Sequence, residues 1–110
     1  MAAPGVVDAL LDELPTDSVV VDPDVVDAYR FDRAQTVVPG RPVALVRAAS
    51  TAEVAATLRV ASRLGIGVVT RGAGTGLSGG SAAVDGCITL STERMRAIEI
   101  DRDAMVAEVD

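Results

Sequence analysis

Five of the chain's ten glycines fall within nine residues, Gly72 to Gly80, in the run Arg71-Gly72-Ala73-Gly74-Thr75-Gly76-Leu77-Ser78-Gly79-Gly80-Ser81. They stand directly after an apolar, β-branched stretch, Ile66 to Thr70, that reads as a strand. Glycine admits positive φ and leaves no Cβ in the way of an approaching group. Successive N–H groups of such a run can therefore point into one concavity and bind phosphate oxygens. Thr75, Ser78 and Ser81 add hydroxyl donors. A dense glycine run can also be a plain surface loop, and what surrounds it decides between the two.

The flanking chain supplies that context. Val43 to Val46 is a short continuous apolar run of the kind found in strands covered on both faces. Ser50 with Glu53 three residues on forms a capping box, in which Ser50 accepts from the Glu53 amide and Glu53 reaches back to the Ser50 N–H. A helix follows, with Val54, Leu58, Ala61 and Leu64 as its buried stripe, Arg59 and Arg63 facing water, and Gly65 as its left-handed stop. Strand, helix and strand from Val43 to Thr70 make a βαβ unit with parallel strands. Past the loop, Cys87 to Leu90, Ala97 to Ile100 and Met105 to Val109 are further strands, the last two joined by an Asp101-Arg102-Asp103 turn. The fold class is α+β.

Ahead of Pro39-Gly40-Arg41-Pro42, which marks a boundary, the chain reads as a helical lead-in. Val6, Val7, Leu10, Leu11 and Leu14 recur at helical intervals until Pro15, and Asp22-Pro23 opens a second helix through Val25, Val26 and Tyr29. The expected division is residues 1–38 as lead-in and 39–110 as the domain that carries the loop.

Composition excludes several kinds of chemistry. The net charge is -6, and the 10 basic residues, all arginine, are scattered singly, so no basic stripe tracks a nucleic-acid backbone. Tyr29 and Phe31 are the only aromatics, too few to stack successive bases. With no histidine and a single cysteine, the chain offers no zinc site, no Ser/His/Asp triad and no intrachain disulfide. Cys87, in an apolar strand, is expected to be a buried core residue, and Met95 and Met105 core or domain-contact residues. The acidic group Asp22, Asp24, Asp27 and Asp32 spreads round a helix and reads as a solvated face rather than a metal site. Met1-Ala2-Ala3-Pro4 lacks the basic start of a secretory leader, and no apolar run reaches membrane-spanning length, so a soluble cytoplasmic location is expected.

The loop itself discriminates between phosphate-binding motifs. Gly74-x-Gly76-x-x-Gly79 matches the dinucleotide fingerprint, but that motif requires a helix opening at its last glycine. Gly80 to Gly86 is poor helix material and runs into the Cys87 strand. A Walker A loop needs a lysine, and the chain has none. What remains is a phosphate-binding loop between two strands.

In this form the sequence resembles the flavoproteins related to vanillyl-alcohol oxidase and p-cresol methylhydroxylase. Gly65-Ile66-Gly67-Val68-Val69-Thr70 followed by Arg71 to Gly80 is similar to the D-lactate dehydrogenase and glycolate oxidase D-subunit branch. Ser50-Thr51-Ala52-Glu53-Val54, Glu93-Arg94-Met95-Arg96-Ala97-Ile98 and Tyr29-Arg30-Phe31-Asp32 fit the same branch in order and spacing. Ala48 stands where that family commonly has a proline. The resemblance implies a PCMH-type FAD-binding domain, of which the chain carries the first subdomain. The positions carried over to the cofactor are Arg71, Gly72, Ala73, Gly74, Thr75, Gly76, Leu77, Ser78, Gly79 and Gly80, with Ser78 as the side-chain contact. Arg71 is open between neutralising phosphate and pairing with a surface carboxylate.

The resemblance further implies non-covalent FAD and hydride transfer from a D-2-hydroxy acid such as lactate or glycolate. The partners it implies are FAD and the remainder of the enzyme, a second FAD subdomain and a substrate-binding cap, beyond Asp110. No catalytic residue is expected in this stretch. A second reading is a non-catalytic module that binds a nucleotide or a partner through the same loop.

Overall fold

The computed structural model describes residues 5–110; Met1 to Pro4, considered above for a leader, lie outside the described residues. Two helices open the chain, α1 (Val6–Glu13) and, after a 3-10 turn at Thr16–Ser18 and the short strand β1 (Val19–Val20), α2 (Pro23–Ala28). α1 ends one residue short of the expected Leu14, whose side chain is nevertheless buried with Val6 and Leu10. Asp22 caps α2 by accepting from the Asp24 amide at 3.0 Å, and Pro23 occupies the first turn, where its missing N–H has no helical partner to lose.

The centre of the molecule is β2 (Ala44–Arg47), α3 (Thr51–Leu64), β3 (Val68–Arg71) and β4 (Ile88–Ser91). These strands and β1 form one sheet in the order β1-β2-β4-β3. β2 and β3 are parallel, as the βαβ reading requires, but β4 lies between them and pairs in parallel with both. β1 adds antiparallel to the outer edge of β2, with Val19 opposite Val46.

Alternation along the central strands places Ala44, Val46, Ile88 and Leu90 in one core with Leu10 of α1 and Val60 of α3. Leu45 and Thr89, on the opposite face, are equally buried. The two central strands are therefore covered on both sides, which is why their sequences run apolar without alternation. Cys87, just ahead of β4, is buried as expected.

α3 is rotated relative to the predicted stripe. Its buried residues are Ala56, Thr57, Val60 and Ala61, while Leu58 is 46% exposed. Small side chains let the helix lie close to the sheet. The buried Thr57 hydroxyl is satisfied by donating to the Glu53 carbonyl at 2.8 Å, so a polar residue on the inner face carries little cost. Arg59 and Arg63 are exposed and reach across to Glu13 of α1 at 3.8 and 3.6 Å.

The capping box is half formed. Ser50 accepts from the Glu53 amide at 3.3 Å, but the Glu53 carboxylate accepts from the Ser18 hydroxyl instead of turning back to the Ser50 amide. Ser18 is almost fully buried, and its hydroxyl needs an acceptor more than an exposed amide does.

β5 (Ile98–Asp101) and β6 (Val106–Val109) form a separate antiparallel hairpin. All eight of its strand residues are exposed. Met105, in the connecting turn, is 91% exposed and takes no part in the core of this chain. Among the described residues no helix is long and apolar enough to cross a membrane.

Candidate functional site

The glycine-rich loop leaves the carboxyl end of β3, the end of a parallel sheet at which ligands gather. Gly74 and Gly79 hold the left-handed conformation, at φ 73 and 82, which glycine adopts without strain. From Gly72 through Gly80 the chain is exposed or half-buried, and the side chains of Thr75, Leu77 and Ser78 face solvent. Among the described residues, no amide from Gly72 to Ser81 donates a hydrogen bond to the protein.

Two of the loop's carbonyls, by contrast, are paired. Gly76 accepts from the Arg33 amide at 2.8 Å, and Gly79 accepts from the Ala82 amide at 3.2 Å. A segment whose amides are free presents the donors that phosphate oxygens need. Gly72 and Gly80 have no atom within 4 Å of where a Cβ would stand, which leaves open space beside the backbone at both ends of the loop.

The rear of the loop is formed by the lead-in. The Ala83 amide donates to the Arg30 carbonyl at 2.9 Å, and Arg30 Nε donates to the Gly40 carbonyl at 2.8 Å. Val37 packs behind Gly79, where a Cβ would stand 2.7 Å from Cγ2 of the valine. Asp32 makes a tight turn by accepting from the Ala34 amide at 2.8 Å, while its Oδ2 is buried without a partner close to Gly76.

Arg71 is tied to the lead-in. Its side chain is 8% exposed, and Nη1 donates to the carbonyls of Tyr29 at 2.5 Å and Phe31 at 2.8 Å. The guanidinium also lies over the Tyr29 ring, 5.4 Å from its centroid. Nη1 is turned into the lead-in, the terminal nitrogen Nη2 stands beside Gly74, and Nε is buried without a partner.

A second polar group at the same end of the sheet has no signature in the sequence. The Glu93 carboxylate accepts from the Tyr29 hydroxyl and from Arg47 Nε, the latter at 2.6 Å. Arg94 donates to the Arg47 carbonyl at 2.8 Å and to Ser18 Oγ at 3.2 Å. The Tyr29 hydroxyl bond, with help from Arg47, holds the Glu93 carboxyl below its ordinary range; burial opposes this without overcoming it. The same hydroxyl bond to Glu93 pushes Tyr29 upward. These residues lie far apart in sequence, and only the fold brings them together.

An open crevice of about 540 Å³ lies at the other end of the strands, bounded by Arg41, Val43, Gly65, Asp85 and Cys87. It is remote from the loop and contains no comparable set of free amides. Among the described residues no cluster of His, Cys, Asp or Glu could hold a metal ion.

A loop of free amides at the carboxyl end of a parallel sheet defines a class of nucleotide-binding domain, and comparison with known proteins makes it particular: residues 42–110 match the FAD binding domain family, to which the chain belongs. D-lactate dehydrogenase of Archaeoglobus fulgidus is 41% identical over 100 residues, covering 88% of this chain and 22% of that protein. Glycolate oxidase subunit GlcD of Escherichia coli is 37% identical over 90 residues, covering 80% of this chain and 16% of its own length. Among solved structures, p-cresol methylhydroxylase with substrate bound superimposes with a TM-score of 0.74 at 24% identity, over 91% of this chain and 21% of that one. An alkyldihydroxyacetonephosphate synthase reaches a TM-score of 0.84 at 19% identity, over 97% of this chain and 22% of that one.

The α+β, PCMH-type fold expected from the sequence is thereby established, as is the kinship with D-lactate dehydrogenase and glycolate oxidase. The cofactor of the domain is FAD, and the loop's unpaired amides and open flanks fit its pyrophosphate. The hold that the loop offers, through backbone amides and hydroxyls, is non-covalent. The chain spans about a fifth of the length of the relatives it matches.

Proposed function

We propose that this chain forms the pyrophosphate-gripping part of the FAD site in an oxidoreductase that oxidises a D-2-hydroxy acid such as lactate or glycolate. The observation that carries the reading is the run of amides from Gly72 to Ser81, free of partners among the described residues, in a loop whose residues are exposed or half-buried. The substrate class rests on the names of the two relatives, a D-lactate dehydrogenase and a glycolate oxidase subunit. Bound FAD supplies the hydride acceptor. The chain's own residues bind and orient: the backbone of Gly72 to Gly80 accommodates the phosphates, and Ser78 offers an exposed hydroxyl from the same loop.

No residue here is assigned to proton abstraction. The catalytic groups belong to the second FAD subdomain and the cap, which are also the partners that would cover the apolar face of the β5–β6 hairpin. Residues 39–110 form the part of the FAD-binding domain that carries the loop, and residues 1–38 are its helical lead-in. The location that suits this assignment is the cytoplasm.

Titration of the full chain with FAD, followed by flavin fluorescence polarisation and the visible absorption band, tests the assignment. ADP, which keeps the pyrophosphate, is expected to compete, and riboflavin, which lacks it, is expected not to. If polarisation and absorbance stay unchanged at saturating protein, the cofactor role of this loop is lost.

A further inference from the structure

We infer that Arg71 is a positioning residue: it orients the flavin loop by pinning Tyr29–Phe31 behind Gly74, and it makes no contact with the phosphates. The inference rests on the assignment of the loop to FAD and adds how the loop is held. Nη1 of Arg71 is already committed to the carbonyls of Tyr29 and Phe31 and the guanidinium to the face of the Tyr29 ring, while Nε is buried without a partner. At 8% exposure the side chain cannot swing outward without giving up both charge-assisted bonds.

Its place explains the glycine at 74 beyond the left-handed backbone. A Cβ there would overlap the terminal nitrogen of Arg71 and stand 2.8 Å from its Cζ, so the guanidinium occupies the volume that any other residue would claim. The remaining ties extend the same seam. Arg33 donates to Gly76 and Ala83 donates to Arg30, so lead-in and loop share hydrogen bonds on either side of the Arg71 clamp. The loop amides from Gly72 to Ser81 take no part in this seam.

A counter-charge and a clamp respond differently to lysine. Lysine keeps the charge but not the flat guanidinium that lies over the Tyr29 ring and fills the space beside Gly74 while Nη1 serves both carbonyls. The test is to measure FAD affinity of the full chain carrying Arg71→Lys or Arg71→Met, well below each melting temperature and at low and high salt. Hydrogen exchange at the Arg33 and Ala83 amides is followed in parallel.

The clamp predicts that both variants bind FAD about tenfold more weakly. It also predicts that the salt dependence of wild type is kept and that both amides exchange faster. Retained affinity in Arg71→Lys, with loss of both affinity and salt dependence in Arg71→Met, would overturn it in favour of direct phosphate neutralisation. Unchanged affinity in both, with only a lower melting temperature, reduces Arg71 to a structural residue. Gly74→Ala reads the same contact from the loop side should an Arg71 variant fail to fold. If wild type itself binds no FAD, the flavin assignment falls; exchange at Arg33 and Ala83 still decides the clamp, which unchanged rates in Arg71→Lys refute.

Discussion

The carboxyl edge of the four-stranded sheet and the β5–β6 hairpin use the same kinds of residue to opposite effect. Ile88 in β4 is fully buried, whereas Ile98 in β5 is 66% exposed. At the sheet edge Glu93 sits between Tyr29 and Arg47; in the hairpin Glu99 stands directly opposite Glu108. Pairing places Ile98, Ile100, Ala107 and Val109 on one face of the hairpin and Glu99, Asp101 and Glu108 on the other. An isolated two-stranded hairpin is marginal in water, and like charges directly opposite weaken it further. The same β-branched pattern thus yields a core where other layers cover it and an uncovered ribbon where none do. Strand formation and burial are separate facts.

The largest effect should come from truncating the two isoleucines. Ile88→Ala is expected to cost about 2 to 5 kcal/mol by thermal or denaturant unfolding, from lost burial and the cavity left behind. Ile98→Ala should stay within about 0.5 kcal/mol, since its side chain already meets water. Equal costs would dissolve the contrast between the two regions. A rise in the Ile98→Ala cost when the remainder of the enzyme is present would sharpen it.

Next in size is the response of the sheet edge to pH. Because Glu93 titrates below its unfolded value of 4.5 in the fold, its contribution is present above that pH and disappears as pH falls through the lower folded value. Tyr29 is raised above 10.0, so its contribution is present below that pH and disappears as pH climbs through the higher folded value. Both groups are partly exposed, which keeps the effect modest. Melting temperatures recorded against pH should therefore fall less steeply in acid for Glu93→Gln than for wild type; parallel acid limbs would count against the cluster. The smallest effect expected is that of Glu108→Lys, which turns the repulsion across β5 and β6 into attraction. It should protect the hairpin amides from exchange by an amount worth about 0.2 to 1 kcal/mol.

Much of this was legible in the residues. The Ser50 cap, the Gly65 stop and the glycine run behind a β-branched strand are local signals, and each places its element within a residue or two of where it lies. What local signals do not carry is which elements become neighbours. The insertion of β4 between β2 and β3 leaves no trace in the pattern of either strand. The α3 stripe was misjudged because Leu58 outweighs Ala56 and Thr57 in apolarity, although small residues suit a helix pressed on a sheet. Within the site, the loop announces itself through composition, but the target of Arg71 and the donors to Glu53 and Glu93 depend on partners dozens of residues away.

The place of β4 also sets an order of events as the chain is made. β2 and β3 share no ladder with each other, so neither has its parallel partner until Ile88 to Ser91 are in place. Helices α1 and α3 can meet early. The parallel ladders wait for a strand 44 residues beyond Ala44, its partner being Ile88, and both close in one late step (88 less 44). The same step brings the Thr92 amide onto the Arg71 carbonyl at the root of the glycine loop, so a nascent chain acquires its sheet and its cofactor cradle together.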